Sequence, residues 1–241
     1  MGSPIGAGHL LEVFVNGTAG SSGPNFTITD GSGGGNTWHY VPVGNGIELY
    51  YCYNCAGGSY GVTATDNNSG SPINYNFDLL EWSGVLATSN PLDQYIGAIS
   101  VVGSGSISAG SVTTTANGEL ISVHCYTTGS GAPTVGTGMT SAATYNGVSL
   151  DEYQVQTTAG AINANANFPG FGYQTLIVAT YFAASGGGGG KSDVIPMIGG
   201  GRRPSNSTYI KMREDERGAR ETLRRQRDRW RGGPSPNFAA R

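Results

Sequence analysis

Short runs of alternating apolar and polar residues recur along the first 185 positions, each bounded by Gly, Asn or Asp. A period of two is that of a β-strand with one face buried, because successive side chains point to opposite sides. In IELYYCY, Ile47, Leu49, Tyr51 and Tyr53 share a face. In INYNFDLLEW the inward set is Ile73, Tyr75, Phe77 and Leu79, with Asn74, Asn76 and Asp78 outward. ELISVHCY repeats the alternation with Ile121, Val123 and Cys125. YQTLIVATYFAAS is more continuously apolar and reads as a central final strand covered on both faces. No stretch before residue 190 has a helical period. About ten to twelve such strands, with turn signals roughly every 8 to 12 residues, predict an all-β fold: a two-sheet antiparallel β-sandwich of jelly-roll type over 1–185.

The pattern changes after the five glycines 186–190. KSDVIPMIGGGRRPSNS holds no stable period and contains Pro196 and Pro204, so 186–206 reads as a linker and extended strap. Its apolar pentad VIPMI is of the kind held in a groove. STYIKMREDERGARETLRRQRDRWRGG then reads as one α-helix over 207–231, stopped by Gly232, Gly233 and Pro234, with a tail at 232–241. Met212, Glu216, Ala219, Leu223, Gln226 and Trp230 follow a 4-3 spacing that puts four apolar residues on one narrow stripe. Gly218 costs this helix about 1 kcal/mol against Ala, so it is marginal alone and stable when docked.

Composition sharpens the division. All 13 Lys and Arg lie in the last 51 residues, beginning at Lys191, whereas ten of the 16 acidic residues precede it. Residues 1–190 therefore carry −10 and 191–241 carry +7. A split of this kind predicts a body with a neutral-to-acidic polar surface and an arm that fastens it to something structured or negative. Interleaved Glu and Asp dilute the field of the arm, which argues against nucleic acid. No apolar run approaches the ~18 residues of a membrane span.

Candidate chemistry is sparse. GGSYG matches a nucleophile elbow around Ser59, but that motif needs a strand-to-helix turn and nothing after Gly61 has helical spacing. His9, His39 and His124 sit in strand patterns and read as ordinary sheet positions. Cys52 and Cys55 have metal-site spacing, which His124 and Cys125 could complete, and a disulfide is the other reactive reading. Residues three apart on a strand face opposite sides, so the two converge only if Asn54 opens a turn. The favoured reading is three buried small hydrophobes in a protein assembled under reducing conditions. No catalytic residue, metal ligand or cofactor is assigned.

TDGSGGGNTWHYV, FDLLEWSGV, SGSISAGSVTTTANGELISV and YQTLIVATYFAAS succeed one another across roughly residues 9 to 185. In order and spacing they resemble the landmarks of a β-sandwich module of phage tail or other virion proteins and of bacterial surface proteins. This chain departs from the family at its start, where an extra strand usually precedes LLEVFV. The resemblance implies a structural or adhesive role and no reaction.

The expectation is a bacteriophage virion structural protein, a minor tail or tail-tip component, assembled in the host cytoplasm and released by lysis. The arm would dock on other virion proteins through Ile195, Met197, Ile198, Arg202, Arg203, Met212, Ala219, Leu223 and Trp230. The alternatives are a capsid decoration protein, or a carbohydrate-binding adhesin or receptor-binding module that meets a host surface glycan through Trp38, Tyr40 and Trp82. A homo-oligomer is compatible with the sequence, but no coiled-coil seam requires one.

Overall fold

The structure, a computed structural model, describes residues 4–16, 25–31, 34–43, 47–67, 76–145, 147–184 and 196–197. Twelve strands occur among them: β1 (Leu10–Asn16), β2 (Phe26–Asp30), β3 (His39–Val41), β4 (Ile47–Cys52), β5 (Val62–Asp66), β6 (Asn76–Trp82), β7 (Leu92–Thr113), β8 (Glu119–Thr127), β9 (Thr140–Tyr145), β10 (Ser149–Gln156), β11 (Ala161–Tyr181) and β12 (Pro196–Met197). They form one sheet in the order β12-β6-β1-β4-β3, a second in the order β7-β11-β8-β10-β9, and a β2-β5 ribbon. Every pairing is antiparallel. Among the described residues no helix is long and apolar enough to cross a membrane.

The central strands β1, β4 and β8 are covered on both faces. Leu10 and Phe14 of β1, Leu49 of β4 and Trp82 of β6 share one apolar cluster with Leu120, Ile177 and Tyr181 of the second sheet. The alternate side chains of β1, Val13 and Val15, pack instead with Phe26 and Ile28 of the β2-β5 ribbon and with Tyr50. On the second sheet Ile121, Val123 and Cys125 meet Ala164, Ala166 and Phe168.

That last contact requires β7 and β11 to fold back. The 22 residues of β7 would span roughly 70 Å if straight. Yet the Thr115 amide, just past the end of β7, donates to the Asp93 carboxylate near its start at 3.1 Å. The β7-β11 ribbon is therefore doubled over, and its register slips between Phe168 and Gly172. Its returning half lies over the face of β8 that carries Val123.

One expectation holds here and one changes. The face holding Ile47, Leu49 and Tyr51 is buried as the alternation implies, with Tyr53 against its margin. Asp78, assigned outward, is only 8% exposed and sits beside His124, on the side of its strand that carries Leu80 and Trp82. Phe77 and Leu79 pack on the opposite side, against the β2-β5 layer. Alternation separates two chemistries; with both faces covered it does not separate inside from outside.

Of the strap, Pro196 and Met197 are described. They pair with Trp82 and Glu81 along the free edge of β6, an edge place being where a strand tolerates a proline without its N–H. Met197, put forward as a docking residue for a partner, thus pairs within its own chain. The chain divides into Met1–Gly201 and Arg202–Arg241. The 207–231 helix, the 232–241 tail, and Ile195, Ile198, Arg202, Arg203, Met212, Ala219, Leu223 and Trp230 lie outside the described residues.

Candidate functional site

The ten carboxylates of residues 1–190 do not make an acidic surface. Glu12, Glu48, Asp78, Glu81, Glu119, Asp151 and Glu152 are buried, and Asp30, Asp66 and Asp93 are half-buried. Most of them hold loop backbone. Glu48 accepts the Asn25 amide at 2.5 Å, the Phe26 amide at 3.2 Å and the Tyr50 hydroxyl. Glu119 accepts the Thr115 and Ala116 amides at 2.8 and 2.6 Å. Glu81 accepts the Gly6 amide and faces His9 Nδ1, each at 2.7 Å, and Glu152 accepts the Gly136 amide at 2.8 Å. A carboxylate taken from water needs such donors, and its charge makes each bond stronger than a neutral one.

Between the two large sheets the same principle yields a charged cluster. His124 is 0% exposed, stacked on Phe14 with ring centroids 4.5 Å apart and planes 7° from parallel. Its Nδ1 lies 2.6 Å from Asp151 Oδ1 and 3.7 Å from Asp78 Oδ2. Nearby, the Trp82 indole N–H donates to Glu12. Burial pushes the Glu12 carboxyl up to about 7 and raises that of Asp78 against the pull of His124. Burial also opposes charge on His124, but Asp151, then Asp78 and Glu12, hold its pKa above the ordinary value.

Asp78, His124 and Asp151 bring one nitrogen and two carboxylate oxygens within 4.8 Å of one another, the composition of a metal site. The spacing fits a protonated imidazole better. At 2.6 Å the Nδ1 to Asp151 contact is a short charge-assisted hydrogen bond, and a metal could enter only by displacing its proton. All three side chains are buried, so no substrate reaches them. The cluster can store charge and protons inside the protein.

An open cavity of about 380 Å³ lies elsewhere, lined by Asn36, Thr37, His39, Tyr53 and Asn54 among others. Asp30 shapes its wall by accepting the Asn36 amide at 2.6 Å and the Trp38 indole N–H at 2.7 Å. The Asn36 side chain is committed to Tyr60 and to the Ala56 amide, at 2.7 and 2.8 Å. His39 stacks on Tyr51 and Tyr53 at 5.1 and 5.3 Å. Asn54 has φ 52°, the left-handed turn that lets Cys55 follow Cys52 round, with Cys55 Sγ 3.2 Å from the Cys52 carbonyl. Among the described residues the lining holds no carboxylate, Lys or Arg, so it suits a neutral hydrogen-bonding ligand.

No family model, curated protein or solved structure matches the chain.

The residues singled out in the sequence scatter over this framework. Trp82 is 0% exposed, its indole N–H given to Glu12, and leaves the set of glycan contacts. Trp38 and Tyr40 are half-buried beneath the β2-β5 layer, Tyr40 against Tyr50 at 5.4 Å. The residue between them, His39, is the one that lines the cavity. Ser59 is exposed, and strand β5 follows it where the elbow motif needs a helix. All three cysteines are buried and free: Cys52 and Cys55 pack with Leu11, and Cys125 packs in the cluster of Val123 and Phe168. The Cys-x-x-Cys spacing with Asn54 inside it was the signal that pointed toward this rim.

Proposed function

We propose that the chain is a non-enzymatic display module: a bacteriophage virion structural protein whose body is a two-sheet β-sandwich and whose C-terminal arm, carrying the 207–231 helix, anchors it. The observation that carries this reading is the partition of charge. The body buries or half-buries every carboxylate before residue 191, whereas all 13 cations are kept for the arm. Such a body offers other molecules a neutral polar surface, and the arm offers arginines that pair with carboxylates around apolar anchors. A minor tail or tail-tip position is favoured over capsid decoration because the resembled module is frequent in tail proteins.

Cosedimentation tests it. The full chain and a 1–201 truncation, which keeps β12, are mixed with purified virions or with isolated heads and tails at low and high salt. The reading expects only the full chain to sediment, with tails, and to resist salt. Sedimentation with heads alone assigns it to capsid decoration. Loss of binding in salt, in the manner of phosphate contacts, or binding by neither protein, would remove the virion reading.

The cavity at His39 and Tyr53 favours a second reading, a carbohydrate-binding adhesin, because its neutral aromatic and amide lining suits a sugar. Retention on a glycan array that is abolished by Tyr53→Ala would support it.

A further inference from the structure

The bend of the doubled β7-β11 ribbon presents apolar side chains to solvent. Phe171 is 73% exposed, Tyr173 62% and Val102 55%. Tyr173 and Val102 are cross-strand partners, and Phe171 lies in the bend two residues away. Monomeric proteins rarely leave such groups clustered without use.

The bend is held in shape. Buried Gln174 donates its amide to the carbonyls of Gly103 and Gly170, at 2.9 and 2.8 Å, tying both strands together at the turn. The Thr128 amide donates to the Tyr173 carbonyl at 3.0 Å, and the Tyr173 amide donates to Thr128 Oγ1 at 3.1 Å. The 128–131 loop lies so close that a Cβ on Gly172 would come within 2.5 Å of the Gly129 nitrogen, and one on Gly170 would collide with the Ser130 carbonyl. Both glycines are there for that close approach. Side chains on so fixed a backbone lose little freedom when covered, which is what makes an effective anchor.

The segments that build this end, 102–106, 127–137 and 167–173, contain no Asp, Glu, Lys or Arg. A polyanion finds no cation here, and the +7 arm finds no counter-charge. An identical face is a different matter: two copies meet without like charges opposed, and a body that has buried its carboxylates lacks the surface charge that keeps proteins apart. We propose that this uncharged apolar bend is where a second copy of the chain docks, bend against bend. Phe171 and Tyr173 supply roughly 250 Å² of exposed apolar area, about a third of what one partner contributes to a stable interface. They act as the anchors, and the surrounding Ser, Thr and Gly of the same segments form the rim.

Sedimentation velocity of the full chain at micromolar and submillimolar concentrations tests the proposal, beside a Phe171→Ser, Tyr173→Ser variant and the 1–201 truncation. The wild type and the truncation are expected to self-associate and to resist salt, since no charges meet. The double variant is expected to associate about ten-fold more weakly or not at all, with an unchanged melting temperature at concentrations where both proteins are monomeric, because both positions are exposed. Phe171→Tyr should restore association if the serine variant proves poorly folded. A wild type that stays monomeric throughout overturns the proposal. So does an oligomer that survives the double substitution, or one lost with the arm alone. A monomeric full chain retained on a glycan array through Phe171 also overturns it, and would assign the bend to sugar.

Discussion

Strand β8 faces two interiors built on opposite principles. Ile121, Val123 and Cys125 look toward the doubled ribbon, into a cluster made of Ala109, Val112, Ala164, Ala166, Phe168 and their apolar neighbours. Ser122 and His124 look the other way, toward Glu12, Asp78 and Asp151. One layer is held by close packing alone, the other by packing round a charged cluster whose members need one another. A buried apolar cluster loses the burial of the atoms removed plus the cost of the cavity they leave, while a buried ion pair loses far more when one partner goes than when both do.

The largest effects should show that asymmetry. Asp151→Ala leaves His124 without its 2.6 Å acceptor and should cost about 3–5 kcal/mol. Phe168→Ala, at 0% exposure in the apolar layer, should cost a similar amount, about 3–5 kcal/mol. Denaturant titrations separate the two by rescue. Adding His124→Phe to Asp151→Ala, which keeps a ring on Phe14, should restore at least about 1 kcal/mol, whereas no second substitution restores Phe168→Ala so simply. If the Asp151 and His124 losses merely add, the two layers do not differ in kind.

Changing pH acts on the charged layer. Glu12 is raised to about 7, and Asp78 and His124 are raised too; Glu119 and Glu152 among the loop staples shift the same way, Glu152 to about 7. A carboxyl whose folded pKa lies above its unfolded value of about 4.5 binds more protons folded than unfolded between those values. Its stabilisation is present below about pH 4.5 and is lost as the pH climbs to about 7. The raised imidazole acts in the same direction, over a window that begins near its ordinary pKa of about 6.5. Melting temperature should therefore fall between pH 5 and pH 8, with Glu12 contributing on the order of 3 kcal/mol. Glu12→Gln should remove its share of the slope and leave a part carried by Glu152, whose carboxyl is raised to a similar value. A profile that rises over this interval would mean the cluster is ionised and satisfied throughout.

The loop staples should respond more weakly. Glu48→Gln keeps the shape but gives up the charge that receives the Asn25 and Phe26 amides, and should cost about 1–2 kcal/mol by thermal melting. Hydrogen exchange at those two amides should quicken at the same time.

These contrasts also explain what could be read in the sequence. The face of Ile47, Leu49 and Tyr51 was legible because alternation reports which side chains share a side. That Asp78 is inside was not, because a polar residue in an alternating run signals water only if the second face is open, and here another sheet covers it. The acidic residues looked like surface charge for the same reason; only the placement of loop amides around Glu48, Glu81 and Glu119 shows them to be internal acceptors. The doubling of β7 and β11 leaves no periodic trace either. Its marks are Gly103, Gly105 and Pro169-Gly170-Phe171-Gly172, punctuation in a chain already dense with glycine. His39 reads in the sequence as an ordinary sheet position, and its neighbours Trp38 and Tyr40, whose larger rings promise more contact, lie half-buried under the β2-β5 layer.

Asn54 gives the smallest and most local test, at the cavity rim. Its φ of 52° is one that side-chain-bearing residues adopt at a cost, Asn less than most. Asn54→Ala should cost about 1 kcal/mol, a fall of roughly 2–4 °C in melting temperature for a domain of this size. Asn54→Gly should be close to neutral, because relief at the turn is offset by the greater freedom of glycine in the unfolded chain. The pair of variants also probes the thiols, since only this turn lets Cys55 follow Cys52 round. Asn54→Ala should speed alkylation of the buried thiols at Cys52 and Cys55 while leaving Cys125 slow, as Cys125 lies in the apolar layer far from the turn. Equal acceleration at all three would mean that the substitution loosens both interiors together, and that the rim and the apolar layer are one cooperative unit.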